Sequence, residues 1–245
     1  VRDFLLRSSV LDLLGGDLCD AVLERTGSRA MLESLDRANL FLVPMDHPGL
    51  TVHAMYTMGG ERTNGVFFDD VYVPDEYRVG ELNKGFQYIA EALDIERFTL
   101  FTFSPIRARM ELLADYVKHA TRDGKPLRED PVIRQRIAQL ATECEVGRLL
   151  GVKFISAAMQ GGKTPTIEAS CYKLYSTELS LRIANATMDI VGPGAQLALD
   201  TEDAPLRGRP ERCYTYTVID TIGGGSSEVQ KNIISRRHLG LPKNF

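Results

Sequence analysis

The chain has 245 residues, 44% hydrophobic and 25% charged, which supplies enough apolar material for one large core or two smaller ones and excludes a disordered chain. A formal net charge of -4 and a pI near 5.7, with Lys and Arg scattered rather than massed, argue against a nucleic-acid partner. Cys19, Cys144, Cys171 and Cys213 lie far apart, without a CxxC pair or a His at metal-ligand spacing, so neither a zinc site nor a disulfide framework is expected and a reducing cytoplasm is.

No run approaches the roughly 18 consecutive apolar residues of a membrane span, and VRDFLLRSSVLDLLGG at the start lacks the basic, apolar, small-residue order of a signal peptide, so a soluble protein is expected. Residues 38–80 then carry three short apolar or alternating runs, ANLFLVPMD, LTVHAMYTM and GVFFDDVYVP, separated by HPG and GGERTNG. Aromatic and β-branched runs bounded by Gly, Pro and Asn predict strands, paired antiparallel.

From Asn83 the texture changes to long segments without Gly or Pro breaks. FQYIAEALDIERFTLFTF and IRARMELLADYVKHATRD place apolar residues at helical spacing, among them Ile106, Met110, Leu113, Tyr116 and Val117, with Ser104-Pro105 expected as a kink or strained turn between two helices. The Phe98–Phe103 run is expected in the helix core. In DPVIRQRIAQLATECEVGRLLGVKFISAAMQGG, Asp130 is placed to cap a helix with Pro131 in its first position, and Gly161-Gly162 ends it. TPTIEASCYKLYSTELSLRIANATMDIVGPG repeats that grammar with Thr164, Pro165 and a terminal GPG. These two helices, each of roughly 28 to 30 residues, complete a helix bundle on or beside the β segment.

The last segment reads TIGGGSSEVQKN and continues to Arg237. Ser226 or Ser227 caps a short helix, with Glu228 early and Arg236 and Arg237 late, as the helix dipole favours. Three glycines therefore enter a helix N-terminus, which offers free backbone N–H groups to an anion or a carbonyl. Two readings stay open from the residues alone: a ligand cradle, or a tight turn. His47, His53, His119 and His238 lie apart and are read as surface or core residues rather than catalysts.

Four stretches in this order resemble the acyl-CoA dehydrogenase family: GVFFDDVYVPDEYRVGELNKGF, LDIERF at the head of a long helix, DGKPLREDPVIRQRIAQLA, and GGGSSEVQKNIISRRHLGLP. The resemblance implies an α+β fold, with a partial antiparallel β domain over residues 1–82 followed by a four-helix bundle domain over 83–245. It also implies an FAD-dependent enzyme that dehydrogenates the α,β bond of an acyl-CoA thioester and passes electrons to an electron-transfer flavoprotein. Family members carry an N-terminal helical domain and a flavin-binding strand that are not found here, so the chain resembles the C-terminal part of such a protein, or a shortened member.

That reaction needs a carboxylate to take the α-proton and hydrogen bonds to polarise the thioester carbonyl. Many members carry the base in the C-terminal loop, where this chain has Gly224. A smaller set, similar to isovaleryl-CoA dehydrogenase, carries it on the helix within Leu-Asp-Leu-Glu-Arg, and LDIERF puts Glu96 there. The resemblance thus makes Glu96 the base and the Gly224 N–H the carbonyl donor. It assigns Asp94 and Arg97 to the CoA substrate or the site's geometry and Ser226 to the flavin. It reads Glu228 as a favourable first-turn charge rather than an acid. The Arg-x-x-Phe-Gly run of the family, whose Arg reaches a neighbouring subunit's FAD diphosphate, is replaced, with Ala120 and Asp123 at its Arg and Phe places, so the resemblance makes Arg122, from a shifted position, the substitute for that Arg. Gly192, Gly194 and Gln196 of IVGPGAQL stand where the family approaches the adenine end.

The divergent pattern is similar to actinobacterial members acting on sterol side chains or other bulky acyl groups, some of them heteromers with shared flavin sites. A homo- or heterotetramer is therefore implied. Two alternatives remain: a non-catalytic scaffold subunit completing another chain's FAD site, and an acyl-CoA oxidase or flavin monooxygenase of the same fold.

Overall fold

The computed structural model of the protein describes residues 37–99, 103–161 and 165–242, of which 94, 95 and 97–99 are described by their backbone alone. The described chain forms two compact units, one of residues 37–55 and 63–93, the other of 56–62 and the described part of 94–242. Two short antiparallel pairs precede the long helices and a third lies between two of them, in keeping with the α+β class the sequence predicts.

In the first unit, β1 (Leu40–Phe41) pairs antiparallel with β4 (Arg78–Val79), placing Leu40 opposite Val79 and Phe41 opposite Arg78. β2 (Leu50–Tyr56) and β3 (Arg62–Phe68) form a hairpin. Arg78 grips Asp75 through two parallel hydrogen bonds of 2.8 and 2.9 Å, which steadies the turn before β4. Val52, Met55, Val66, Phe67 and Phe68 stay exposed, and among the described residues this unit fully buries no large hydrophobic side chain. Two-stranded ribbons of this kind have little stability by themselves.

The second unit holds the core. After α1 (Gly85–Thr99), whose last six residues belong here, come α2 (Phe103–His119), α3 (Pro131–Met159), α4 (Thr166–Val191), α5 (Arg209–Asp220) and α6 (Ser227–Arg237). α4 is the central rod, and α2, α3, α5 and α6 all pack on it. Its buried positions include Ala169, Tyr172, Ser176, Leu179, Ser180, Ile183, Ala184, Ala186 and Ile190, and the small ones let neighbouring helices approach closely. Ile106, Met110, Leu113 and Val117 of α2 meet Ile133, Leu140 and Cys144 of α3 across it.

Local signals explain the boundaries. Asp130 caps α3, its Oδ1 accepting from the N–H groups of Val132 (2.8 Å) and Ile133 (3.2 Å), with Pro131 in the first turn. Gly161 follows the helix at φ +77, the left-handed conformation that stops it; Gly162 and Thr164 lie outside the described residues. Pro165 stands at the cap of α4 without a side-chain cap bond, and the helix itself starts at Thr166. Between α2 and α3, β5 (Thr121–Arg122) and β6 (Lys125–Pro126) close on Asp123 and Gly124, both at positive φ, as a two-residue hairpin turn requires.

Ser104-Pro105 does not lie between two helices: it sits in the first turn of α2. Proline's missing N–H is one the first turn leaves without an intrahelical acceptor, so the helix accommodates it. Residues 100–102, with most of the Phe98–Phe103 run, fall outside the described side chains, while Phe103 packs against the core. The hairpin tip, Tyr56–Arg62, belongs to the helical unit, where Glu61 pairs with Arg212 and Gly59 backs onto the Thr215 carbonyl.

Candidate functional site

α5 ends at Asp220 and α6 begins at Ser227, leaving a six-residue loop that contains the three glycines. Ser226 is the cap: its Oγ accepts from the Val229 N–H at 3.4 Å. Glu228 hydrogen-bonds to its own N–H and to Ser226, which hold its carboxyl below the usual glutamate range, in keeping with a first-turn charge rather than a proton donor.

Gly224 (φ +65) and Gly225 (φ +93) both adopt left-handed backbone. At Gly225 a Cβ would come within 2.6 Å of Gln230 Nε2, so geometry and space both demand glycine there. Three consecutive glycines would ordinarily sample many conformations, yet here both carbonyls are tied down. Gln230 Nε2 donates to the Gly224 carbonyl at 2.9 Å and to the Gly225 carbonyl at 3.3 Å, and Lys173 Nζ donates to the Gly225 carbonyl at 2.7 Å. Among the described residues, the N–H groups of Gly224 and Gly225 meet no acceptor. In a trans peptide the N–H points opposite to the carbonyl of the same plane, so anchoring the Gly224 carbonyl inward turns the Gly225 N–H outward.

Beneath the loop lies a buried polar cluster. Lys173 of α4 and Gln230 of α6 are both 0% exposed. Asp220, nearly as buried, accepts from Ser180 Oγ at 3.2 Å and lies 3.8 Å from Arg109 Nη1, which also donates to Ser180 Oγ. Burial pushes the Asp220 carboxyl above its ordinary range, while the Arg109 charge, the Ser180 hydrogen bond and the Lys173 charge pull the other way. Arg109 also stacks over the Tyr216 ring, its guanidinium carbon 5.7 Å from the centroid.

Glu96 lies near the end of α1, within the helical unit, and is half-buried. Asp94 and Arg97 share that helix, and their side chains lie outside the described residues. Arg122 and Gly192 are brought together: a Cβ on Gly192 would sit 4.0 Å from the Arg122 guanidinium, which donates to the Ile190 carbonyl at the end of α4. Arg122 borders an open cleft of about 440 Å³ that also presents Lys125 and the carboxylates of Asp123, Glu129 and Asp130. Gly194 has another duty, since a Cβ there would approach Pro205 Cγ to 2.9 Å, and Gln196 is exposed. The Arg122 and Gly192 corner offers remaining guanidinium donors of the kind a diphosphate accepts from and no side chain at residue 192, while the three carboxylates lining the cleft beside Arg122 disfavour an anion.

Lys173, Gln230 and Asp220 do not stand out as site residues in the sequence. A signal for the lysine was present: it falls on the stripe of α4 that also carries Ala169, Ser176, Ser180 and Ile183, so the helical period buries it, and a buried lysine must have partners. Among the described residues no group of His, Cys, Asp and Glu could hold a metal ion, and no helix is long and apolar enough to cross a membrane.

Residues 83–239 match the family profile described as acyl-CoA dehydrogenase, C-terminal domain. A second profile, the MalT winged helix domain, matches residues 1–56; within it β1 and β2 are described, and both pair with strands beyond its end. The acyl-CoA dehydrogenase FadE26 of Mycobacterium tuberculosis is 31% identical over 210 residues, 84% of this chain and 52% of its own. The ChsE4-ChsE5 complex from Mycobacterium tuberculosis superposes with a TM-score of 0.76 at 31% identity, covering 85% of this chain and 54% of that one. The Tcur3481-Tcur3483 steroid ACAD reaches 0.77 at 25% identity over 85% of this chain and 53% of that one. The chain thus spans about half the length of the relatives it matches.

Proposed function

The chain belongs to the acyl-CoA dehydrogenase family, whose cofactor is FAD, and from that premise we propose that it contributes the α-proton base and the carbonyl-polarising loop to the α,β-dehydrogenation of an acyl-CoA thioester. The observation that carries this reading is the triple-glycine loop, with two backbone N–H groups left without an acceptor among the described residues, the Gly225 one turned outward, and no carboxylate at Gly224. A thioester carbonyl that accepts from the Gly224 and Gly225 N–H groups becomes enolate-like as the α-proton leaves, and fixed donors favour that charge. Glu96 takes the proton, because the loop offers no side chain to do so and α1 supplies a half-buried carboxylate. FAD, when bound, would supply the acceptor for the hydride that leaves the β-carbon. Asp94 and Arg97 hold the CoA thioester, Arg122, Gly192, Gly194 and Gln196 serve the nucleotide end, and Ser226 contacts the flavin.

The steroid ACAD among the similar structures supports a bulky acyl group as substrate, for which a side-chain-free Gly224 leaves room. An electron-transfer flavoprotein is the acceptor in this reading, and a reducing cytoplasm the compartment. Assembly is as a homo- or heterotetramer, supported by the two-component complexes among the similar structures. Those complexes, and the carboxylates beside Arg122, also favour a second reading: a scaffold subunit that completes the FAD site of another chain.

The test uses the full-length protein, expressed alone and with its genomic neighbour. Glu96→Gln is expected to keep flavin content and native mass while lowering acyl-CoA-dependent reduction of an acceptor by roughly 10³-fold or more. Undiminished turnover would remove Glu96 from the base's role. Flavin that binds only in the presence of the neighbour, with turnover indifferent to Glu96, establishes the scaffold reading instead.

A further inference from the structure

We infer that Lys173 is a positioning residue for the carbonyl-polarising loop, acting through the Gly225 carbonyl; this rests on the reading of Gly224 and Gly225 as donors given above. An ammonium that is 0% exposed carries a large desolvation penalty unless several acceptors meet it. One acceptor of Lys173 is known: the Gly225 carbonyl at 2.7 Å, 52 residues away in sequence. The Asp220 carboxylate faces it electrostatically and is in turn held by Arg109 and Ser180. α4 is the most enclosed element of the bundle, so the lysine is a rigid post rather than a mobile side chain.

The geometry of the loop gives the post its purpose. Glycine imposes almost no backbone preference, so the direction of the Gly224 and Gly225 N–H groups has to be imposed from outside the loop. Gln230 holds the peptide plane between residues 224 and 225, and Lys173 holds the plane between 225 and 226. With the two planes held, the left-handed conformation of Gly225 is locked and its N–H is kept outward. A donor that is aimed before substrate arrives stabilises developing charge without reorganisation, and a donor that wanders does not.

A purely structural role, in which Lys173 merely neutralises Asp220, makes a different forecast. Removing both charges in Lys173→Met with Asp220→Asn would then restore the wild-type protein. Under the positioning role, that double variant folds, with amides of α4 protected as before. Its hydrogen-bonded amides that frame the loop, those of Ile222, Gly223 and Ser227, exchange with deuterium roughly ten- to a hundredfold faster than in Asp220→Asn alone, as expected for losing one hydrogen bond to a charged group. In the flavin-loaded full-length protein, kcat falls by roughly 10²- to 10³-fold while KM changes little.

Exchange and kcat equal to those of the wild type, or of Asp220→Asn, would overturn the inference. Accelerated exchange throughout α4 would also overturn it, since Lys173 would then be a fold residue. If the wild-type protein dehydrogenates no acyl-CoA, the functional reading fails, and the exchange comparison still decides whether Lys173 fixes the loop.

Discussion

Asp220 is a carboxylate held where water scarcely reaches it, and its proton affinity in the folded chain is raised chiefly by that burial. A carboxyl with a raised folded pKa binds its proton more tightly in the native state than in the unfolded one. Its contribution to stability is therefore fully present below about pH 4 and is lost as pH rises through the folded value. Asparagine has no such dependence. The Tm of the wild type relative to Asp220→Asn should decline from pH 4 toward pH 7, by about 2–4 °C for each ~1 kcal/mol involved. A difference that stays flat over that range would show that Arg109 and Lys173 cancel the burial. Lys173, Gln230 and Asp220 illustrate a general limit: each looks like an ordinary helix residue in sequence, and only the packing of α4, α5 and α6 makes it a partner of the loop.

At the level of elements, the helices follow local rules closely. Asp130 with Pro131 starts α3, Ser226 starts α6, and Asp123-Gly124 turns the hairpin between α2 and α3. Because the Asp130 cap satisfies two N–H groups at an exposed helix end, Asp130→Ala should cost about 1 kcal/mol, read as a lower urea midpoint with unchanged slope. A loss below a few tenths of that would mean water replaces the carboxylate fully. α3 and α4 are further locked by Arg182, which bonds Glu143 at 2.7 Å and lies over the Tyr175 ring, while Tyr175 donates to the Glu143 carbonyl. These links keep α4 in register, and with it Lys173 beneath the loop.

At the scale of the whole molecule, α3 turns a second apolar stripe away from its own core: Val146, Leu149, Val152, Ile155 and Met159, spaced three or four residues apart, are all exposed. The proposed tetramer gives that stripe a partner. Replacing Val152 and Ile155 together by lysine should leave the Tm of an isolated chain within about 4 °C, since surface changes alter stability by about ±0.5 kcal/mol each, yet should lower the native mass to that of smaller species. A native mass unmoved by both charges would remove α3 from the assembly.

Composition, capping residues, turn glycines and apolar periodicity determined the helices, the α+β order and the segments that resemble the family, because those features act between residues close in the chain. The same local information identified Gly224 as a glycine where other members carry a carboxylate, and Glu96 as the carboxylate on a helix. What only the tertiary structure decided was the orientation of the triple-glycine loop and the identity of the groups that hold it. Glycines carry no side-chain pattern that reveals their backbone angles, and Lys173 reaches Gly225 across 52 residues of sequence, so their meeting depends on how three helices pack rather than on any local preference.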